Sequence, residues 1–360
     1  MKILHITDLV NSNGNGVAVA VSYYVKYEKY KADVAVYNLN SSFECEIDNI
    51  YTKYVYSDIS LLPNGFNRPD IVIFNEVYKR NYLKIYKYCL KNNIPYIIVP
   101  HGCLVAVAQK KKKMKKFLGN LLFFNRFIKK SSAIQFLNIS EKNDTYFKYS
   151  NYIISGNGVD EFLNKEKVKI TGKDLIYIGR YSIYHKGLDM LVKVCSNNAS
   201  WFRNNKVKVQ LYGRTSGNDL KKLEKIVEFN KIDDILIING PVYKDDKRNI
   251  LNKAYGFIQI SRHEGQPMGI VEALALGIPC IVTSGTTFAE FVNHNNCGIG
   301  VSFDEIEIFD AIKKIYSSND IRNSYSINAI DATKKYFSWD KIISKLLDDY
   351  ELIIMNNGGR

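Results

Sequence analysis

The sequence predicts an α/β protein built from two doubly wound parallel sheets. Short apolar runs of strand length alternate with amphipathic runs of helical length, and this alternation is typical of parallel sheets covered by helices on both faces. With 360 residues the chain exceeds one ordinary hydrophobic core, which favours two domains. A polar stretch over residues 156–173 contains no strand candidate and marks the boundary between them.

The strand candidates fall into two sets of six, one on each side of this boundary. The first set lies at residues 2–8, 32–37, 70–74, 95–100, 133–137 and 152–154, with helices predicted at 16–28, 77–91, 110–129 and 140–147. The second set lies at residues 175–179, 206–212, 235–238, 255–260, 280–283 and 299–301. We therefore predict one domain over residues 1–160, a second over 161–337 and a terminal helical segment over 338–360. Ligands of such folds collect at the carboxyl ends of the strands, here expected in a cleft between the domains.

The composition argues against a membrane-spanning protein and favours the cytoplasm. No apolar run approaches the roughly 18 residues that a transmembrane helix needs. Residues 1–8 are polar too early for a signal peptide and are expected to form the first strand. Six cysteines, at positions 45, 89, 103, 195, 280 and 297, show neither Cys-x-x-Cys pairing nor metal-ligand spacing, so buried thiols in a reducing compartment are expected.

The net charge of +14 is concentrated in the first half of the chain. Residues 1–155 carry 22 Lys and Arg against 11 Asp and Glu, whereas the remaining residues carry 28 against 25. Within residues 101–140 there are nine basic residues and no acidic one. The excess is therefore local, which argues against a general nucleic-acid-binding protein.

The most informative stretch is residues 261–282, Ser-Arg-His-Glu-Gly-Gln-Pro-Met-Gly-Ile-Val-Glu-Ala-Leu-Ala-Leu-Gly-Ile-Pro-Cys-Ile-Val. Glu264 follows a strand candidate, and Glu272 is predicted in the first turn of the next helix. Amides at a helix start have no partner within the helix and favour an anion. The amides expected there are those of Met268, Gly269, Ile270 and Val271. Acids flanking such an anion site can accept hydrogen bonds from sugar hydroxyls, which suits a sugar joined to a diphosphate.

Helix stability offers a simpler explanation for either glutamate alone. An acid in the first turn is favoured by the helix dipole, by about 0.3–1 kcal/mol. The Gly-Gln-Pro-Met-Gly turn between the two glutamates shifts the balance towards a binding site.

The spacing Glu-x7-Glu in this setting resembles the donor-site motif of glycosyltransferase family 4, whose members are retaining enzymes of the GT-B fold. The resemblance covers nearly the whole chain, up to Phe337-Ser-Trp339. It implies two Rossmann-like domains facing across a cleft, with the C-terminal helix packed back onto the first domain. It also implies that Glu264 contacts the donor sugar and that Glu272 binds the nucleotide ribose.

Three further segments match the family pattern. Arg180 and Lys186, in a Gly-Arg…Lys-Gly stretch, correspond to residues that contact the donor phosphates, although either alone would pass for a solvated surface charge. His101, in Pro-His-Gly, corresponds to a histidine that faces the donor sugar, and we assign it with Glu264 to the catalytic centre. A loop histidine is otherwise more often structural. Gly16 matches the second glycine of a loop near the donor phosphates, whereas Asn15 replaces the first.

We expect metal-independent chemistry with no cofactor. The sequence contains no Asp-x-Asp pair and no His/Cys cluster with ligand spacing. Many glycosyltransferases of the other large fold hold a metal on the diphosphate with that acidic pair. Here Arg180, Lys186 and the helix amides are expected to neutralise the diphosphate instead.

Residues 110–130 predict an amphipathic helix with a cationic start. The lysines of that cationic start are Lys110, Lys111, Lys112, Lys113, Lys115 and Lys116. Lysines beside an anionic leaflet each contribute about 1 kcal/mol to membrane binding. We expect the apolar stripe to pack in the domain core while the lysines touch anionic lipid. The alternatives are lysines that are merely solvated, or a nucleic-acid contact.

Together these features predict a retaining glycosyltransferase on the cytoplasmic face of the membrane, peripherally associated with its inner leaflet. It would move a hexose or N-acetylhexosamine from a nucleotide diphosphate sugar, expected to be a UDP-sugar, to a polyprenyl-diphosphate-linked saccharide. The resemblance implies the biosynthesis of a surface polysaccharide (capsule, O-antigen or exopolysaccharide). One alternative is a GT-B nucleotide-sugar epimerase, which would release an isomerised sugar nucleotide. The other is a non-catalytic binder of RNA or anionic membrane, which would turn over no sugar nucleotide.

Overall fold

The computed structural model describes residues 1–9, 16–40, 49–110, 113–145, 147–159, 172–215 and 217–358. The chain divides into two compact units, Met1–Asn157 with Trp339–Arg360 and Gly158–Ser338. Each unit is built on one parallel sheet, so the prediction of two doubly wound α/β units is confirmed.

The sheet of the first unit has seven parallel strands in the order β3-β2-β1-β4-β5-β6-β7. They are β1 (Lys2–Thr7), β2 (Asp33–Asn38), β3 (Ile50–Thr52), β4 (Ile71–Asn75), β5 (Tyr96–Val99), β6 (Ala133–Phe136) and β7 (Tyr152–Ile154). Apolar clusters cover both faces of the sheet, which explains why its strands are continuous apolar runs. The sequence analysis missed β3, because three residues are too few to show a pattern.

The helices before the second sheet are α1 (Gly16–Glu28), α2 (Tyr82–Lys91), α3 (Ala106–Lys110), α4 (Lys113–Gly119), α5 (Asn125–Lys129) and α6 (Ile139–Asn143). A π-helical segment, Asn120–Phe124, joins α4 to α5. The single helix predicted over residues 110–129 is thus divided, and Lys111 and Lys112 lie outside the described residues.

Two predicted helices are shorter than expected. The chain turns after Glu76, whose φ is 79°, and α2 therefore begins only at Tyr82 rather than at residue 77. The helix predicted at 140–147 is α6, which ends at Asn143. Its start is set by Asn138, whose side chain accepts a hydrogen bond from the Glu141 amide at 2.8 Å.

The sheet of the second unit has six parallel strands in the order β10-β9-β8-β11-β12-β13. They are β8 (Leu175–Ile178), β9 (Val209–Tyr212), β10 (Leu236–Asn239), β11 (Gly256–Gln259), β12 (Cys280–Thr283) and β13 (Gly298–Val301). The helices are α7 (Leu188–Asn197), α8 (Ala199–Asn205), α9 (Asp219–Phe229), α10 (Lys244–Leu251), α11 (Met268–Ala275), α12 (Ala289–His294), α13 (Glu305–Ser317) and α14 (Asn319–Tyr336). Two apolar clusters bury this sheet as well.

The C-terminal helix α15 (Trp339–Gly358) belongs to the core of the first unit. The Trp339 ring stacks on Tyr23 and Tyr27 of α1, with ring centroids 5.6 and 5.7 Å apart. Tyr350 donates a hydrogen bond to the Gln135 side chain at 2.9 Å. Among the described residues, no helix is long and apolar enough to cross a bilayer.

Candidate functional site

The loops that leave the carboxyl ends of β8 and β11 carry the predicted residues of the second unit. These two strands pair in parallel, so their loops emerge at the same edge of the sheet. Arg180 and Lys186 lie between β8 and α7, Glu264 lies between β11 and α11, and Glu272 lies within α11. The structure therefore brings together two segments, one with Arg180 and Lys186 and one with Glu264 and Glu272, whose paired residues Lys186 and Glu264 are 78 positions apart in the sequence.

Lys186 and Glu264 form an ion pair between the two loops. Their side chains are only 10% and 14% exposed, so the pair is largely withdrawn from water. The same carboxylate oxygen also accepts hydrogen bonds from the Ser261 hydroxyl at 3.2 Å and the Gln259 amide at 3.4 Å. These contacts fix the orientation of the carboxylate before any ligand arrives.

Glu272 forms a second ion pair, with Lys247 of α10. The side chains are 25% and 23% exposed, so this pair is partly accessible to a ligand. Sequence analysis missed Lys247, because it lies in a polar helix whose charges look like an ordinary solvated surface. Nothing local in the sequence indicates that α10 faces α11 at this point.

The start of α11 requires two corrections. Glu272 is the fifth residue of the helix, not part of its first turn, because Pro267 is still extended and Met268 is the first helical residue. The Ile270 amide donates to the Pro267 carbonyl at 3.0 Å, and Val271 lies one position beyond the open first turn. The anion site that the sequence predicts thus rests on the amides of Met268 and Gly269.

Arg262 holds the loop between β11 and α11 against α7. Its guanidinium donates to both carboxylate oxygens of Asp189, at 2.8 and 2.6 Å. The rings of Tyr184 and Phe303 lie 4.1 and 4.3 Å from the guanidinium carbon. A two-point ion pair combined with stacking defines one position for the loop, so Arg262 positions Glu264 indirectly.

Two glycines allow these loops to approach each other. Gly187 has a φ of 69°, and a Cβ there would collide with the carbonyl oxygen of Ile260. A Cβ on Gly285 would collide with the carbonyl oxygens of Ser261 and Arg262. Both positions therefore require the absence of a side chain.

Arg180 is exposed at the end of β8 and pairs with no acid within the described part of the chain. Its carbonyl accepts a hydrogen bond from the Tyr177 hydroxyl at 3.0 Å, which fixes the backbone at this residue. The guanidinium remains exposed to solvent. Burial raises the pKa of Tyr177 well above its usual value, so that residue stays neutral and serves as a donor. Within the described residues, the second unit thus presents an arginine without an acidic partner and two lysines that are paired with glutamates.

His101 lies in the first unit, after β5, with a φ of 47° that is unusual for a side chain other than glycine. Its Nε2 lies 3.3 Å from Oδ1 of Asn75. The Asn75 amide nitrogen lies 3.3 Å from Nδ1 of His5, whose Nε2 lies 2.7 Å from Glu28. His5, Glu28 and Asn75 are buried. His101 therefore lies at the end of a series of hydrogen-bonded side chains that sequence analysis did not predict.

Burial, together with a smaller contribution from nearby His5, lowers the pKa of His101 to about 4. His101 is therefore neutral at physiological pH. A neutral ring that donates through Nε2 to Asn75 presents Nδ1 as an acceptor, which suits a ligand hydroxyl.

Glu141 fixes the turn that carries His101. Its two carboxylate oxygens accept from the amides of Gly102 at 2.6 Å and Leu137 at 2.7 Å. Burial raises the pKa of Glu141, while these two backbone hydrogen bonds lower it. Gly16 is exposed at the first position of α1, and the loop before it, residues 10–15, lies outside the described residues.

The basic segment contradicts the expectation that its apolar stripe packs in the core. Five apolar residues are at least half exposed: Met114, Phe117, Leu118, Leu121 and Leu122. Only the later residues Phe124, Phe127 and Ile128 are buried. The π-helical segment Asn120–Phe124 lies where the stripe changes from exposed to buried, so only the C-terminal part of the stripe faces the core. Of the predicted lysines, Lys110, Lys113 and Lys115 are exposed, and the Lys116 ammonium donates to the Ala108 carbonyl at 2.7 Å.

No group of three or more His, Cys, Asp or Glu side chains that could hold a metal ion occurs among the described residues. The second unit presents cations and helix amides to an anion at this edge of its sheet.

Comparison with known proteins finds a family model that matches most of the second unit. Residues 159–332 match the family described as Glycosyl transferases group 1. The chain is 22% identical over 182 residues to the GDP-mannose:cellobiosyl-diphosphopolyprenol alpha-mannosyltransferase of Xanthomonas oryzae, covering 50% of this chain and 47% of that protein. It is 29% identical over 122 residues to the UDP-Gal:alpha-D-GlcNAc-diphosphoundecaprenol alpha-1,3-galactosyltransferase of Escherichia coli, covering 32% and 30%. These alignments thus span about half or less of the curated relatives.

Among solved structures, Anabaena HepE in complex with UDP and glucose superposes with a TM-score of 0.74. The match covers 98% of this chain and 99% of that one at 14% identity, so it shows the fold alone. The architecture is that of GT-B glycosyltransferases, with two Rossmann-like domains.

Proposed function

We propose that this chain, which carries a glycosyltransferase group 1 domain over residues 159–332, is a retaining glycosyltransferase of family 4. The paired charges at the edge of the second sheet carry this proposal. Lys186–Glu264 and Lys247–Glu272 place a cation beside each acid, next to the open first turn of α11. A sugar nucleotide needs both kinds of group, because its phosphates are anionic and its rings carry hydroxyls.

In this proposal the diphosphate is held by Arg180, Lys186 and the amides of Met268 and Gly269. Glu272 accepts hydrogen bonds from the ribose hydroxyls, and Glu264 accepts them from the donor sugar. Cations and amides that already point at the leaving diphosphate stabilise its growing negative charge without a metal ion. His101 contributes an acceptor for a sugar hydroxyl from the first unit.

The transfer step forms a bond between the acceptor hydroxyl oxygen and the anomeric carbon and breaks the bond from that carbon to the diphosphate. The acceptor proton passes to the departing diphosphate oxygen on the same face of the sugar. No protein nucleophile takes part, so configuration is retained by attack from the side of the leaving group.

We propose a UDP-hexose or UDP-N-acetylhexosamine as the donor and a polyprenyl-diphosphate-linked saccharide as the acceptor, in the synthesis of a surface polysaccharide. Both curated relatives are named for diphosphate-linked polyprenol acceptors, and their named donors differ, one GDP-mannose and one UDP-galactose. The exposed apolar face of α4 beside its lysines supports peripheral attachment to the anionic inner leaflet. We assign no nucleic-acid partner.

A screen of UDP- and GDP-sugars for protection against thermal unfolding tests the donor. A ligand at 100 times its dissociation constant adds about 2.7 kcal/mol to stability, which raises the melting temperature measurably. The protecting sugar is then incubated with a polyprenyl-diphosphate-linked saccharide, and products are identified by mass spectrometry. An isomerised sugar nucleotide would identify an epimerase. Absence of both protection and turnover would contradict an enzyme of either kind.

A further inference from the structure

A cavity of about 510 Å³ lies in the first unit beside α4, next to the face proposed to attach to the membrane but outside the donor site. Its size falls within the range of about 300–1,000 Å³ that is typical of small-molecule sites. Every residue that lines it lies between Gln109 and Lys148, within one unit.

The cavity is strongly cationic. Lys113, Lys116, Lys129 and Lys148 line it, and none of the described residues that line it is acidic. Lys116 is held in place, since its ammonium donates to the Ala108 carbonyl at 2.7 Å. Four ammonium groups around one cavity repel each other, and a multivalent anion between them would relieve that repulsion.

The same cavity is also partly apolar. Phe117, Leu121 and Phe147 line it together with the lysines. Phe117 and Leu121 are 62% and 65% exposed, and they continue onto the exposed apolar face of α4. A small inorganic anion would leave this surface in water, whereas an anion bearing a hydrocarbon chain would cover it.

Asn120 adds a polar group that lacks a partner. This residue lines the cavity, and its Oδ1 atom is buried without a hydrogen-bond partner in the described structure. A buried acceptor left unsatisfied costs about 1–3 kcal/mol, so a donor from a bound molecule would be favourable here.

We propose that this cavity binds the diphosphate of a polyprenyl-diphosphate-linked molecule. The lysines hold the diphosphate, the hydrocarbon chain leaves over Phe117 and Leu121, and Asn120 accepts from a hydroxyl of the attached sugar. The inference rests on the proposed function for the identity of the ligand as the acceptor. The site itself is defined by charge, apolar surface and volume within the first unit.

Farnesyl diphosphate, a short and soluble polyprenyl diphosphate, serves as the probe, and binding is measured by calorimetry. The Lys129→Gln/Lys148→Gln variant removes two cations from the cavity. The matched control, Lys110→Gln/Lys115→Gln, removes two exposed lysines of the same segment that do not line it. We expect the first variant to weaken binding by about tenfold or more, equivalent to 1.4 kcal/mol. The control should change it little.

Inorganic pyrophosphate and phosphatidylglycerol vesicles distinguish the possible sources of the anion. Pyrophosphate should bind more weakly than farnesyl diphosphate, because it leaves the apolar part of the cavity uncovered. Vesicle binding should fall equally in both variants, since attraction to a charged surface depends on total charge. Equal loss of farnesyl diphosphate binding in both variants, or pyrophosphate binding as tight as that of farnesyl diphosphate, would overturn the proposal.

Protection by sugar nucleotides, measured on the same variants, separates this inference from the proposed function. Both variants should keep wild-type protection, because the donor residues lie in the second unit. If no sugar nucleotide protects the protein while the cavity still selects farnesyl diphosphate, the proposed transferase activity fails and the lipid diphosphate site stands.

Discussion

The ammonium of Lys186 contacts the carboxylate of Glu264 and so joins the loops that follow β8 and β11. Sequence reasoning assigns these residues to different parts of the donor, the phosphates and the sugar. The structure shows that they neutralise each other before a ligand binds. A diphosphate that binds the Lys186 ammonium must therefore share that positive charge with the Glu264 carboxylate.

Removing one member of either ion pair should strongly impair the transfer step. We expect Lys186→Ala and Glu272→Ala each to lower turnover by about two to three decades, the scale for loss of one group that stabilises the transition state. Steady-state kinetics with the protecting sugar nucleotide measure this. Lys193→Ala is the control, because Lys193 is 60% exposed on α7 and pairs with Glu305. Near-normal kinetics in both site variants would refute the proposed site.

The Lys186–Glu264 pair predicts a partial rescue. In Lys186→Met, the Glu264 carboxylate remains without its cation next to the expected diphosphate and should repel it. Adding Glu264→Gln removes that repulsion, so the double variant should bind UDP more tightly than Lys186→Met alone. A double-mutant cycle of UDP dissociation constants checks this. If the two substitutions change the free energy of UDP binding additively, Lys186 and Glu264 do not act together on the ligand.

Arg262 should tolerate no substitution that preserves only its charge. Arg262→Lys loses the two-point contact with Asp189 and the stacking on Tyr184, so the loop carrying Glu264 should become less ordered. We expect turnover to fall by about tenfold, the effect of 1.4 kcal/mol on a barrier.

Arg203→Lys is a matched control for this substitution. Arg203 makes an equivalent two-point contact with Asp234, at 2.8 and 2.9 Å, on the helix α8 rather than in the site loops. Its substitution should leave turnover unchanged. An equal effect of both substitutions would indicate a general loss of stability.

Asn75 should act as a positioning residue for His101. Asn75→Leu removes the acceptor 3.3 Å from His101 Nε2 and leaves the ring free to change its tautomer. We expect turnover to fall more than the apparent affinity for the donor. Asn75→Asp restores an acceptor and adds a negative charge, which should raise the pKa of His101 in an NMR titration. A pKa of His101 that is the same in both variants would contradict this role.

Stability should decrease as the pH falls below about 6.5, the usual pKa of an unfolded histidine. The folded protein keeps His101 neutral down to its lowered pKa of about 4, so within this window only the unfolded chain binds the proton. The stability that His101 contributes is fully present above about pH 6.5. It is lost as the pH falls to about 4. Its slope approaches about 1.4 kcal/mol per pH unit. Urea unfolding of the wild type and His101→Gln at several pH values isolates it, and parallel curves would contradict it.

The exposed apolar face of α4 and of the π-helical segment after it should be needed for membrane binding. Leu118 and Leu122 are 51% and 64% exposed, so Leu118→Ser/Leu122→Ser should weaken binding to phosphatidylglycerol vesicles without unfolding the protein. Sedimentation with vesicles at low and physiological ionic strength measures this. Leu352→Ser, at a leucine of α15 that is 59% exposed, is the control. Unchanged sedimentation of the double variant would exclude this face as the attachment site.

The sequence determined the fold class because alternating strand and helix patterns are local. A buried parallel strand must be a short apolar run, and twelve of the thirteen strands in the described residues were predicted within a few residues. The short strand β3 was not predicted, since three residues are too few to show a hydrophobic pattern. The block around Glu264 and Glu272 was visible for the same reason, as a turn and a helix start encoded in consecutive residues.

Tertiary structure alone decided which charges meet. Lys247 approaches Glu272 because two helices pack side by side, and Asn75 links His5 to His101 because distant strands pair in one sheet. It also decided that α4 exposes its apolar stripe, because which face of a helix becomes buried depends on the surface it packs against. Periodicity records that a face is apolar, but only packing determines whether it meets the core or the solvent.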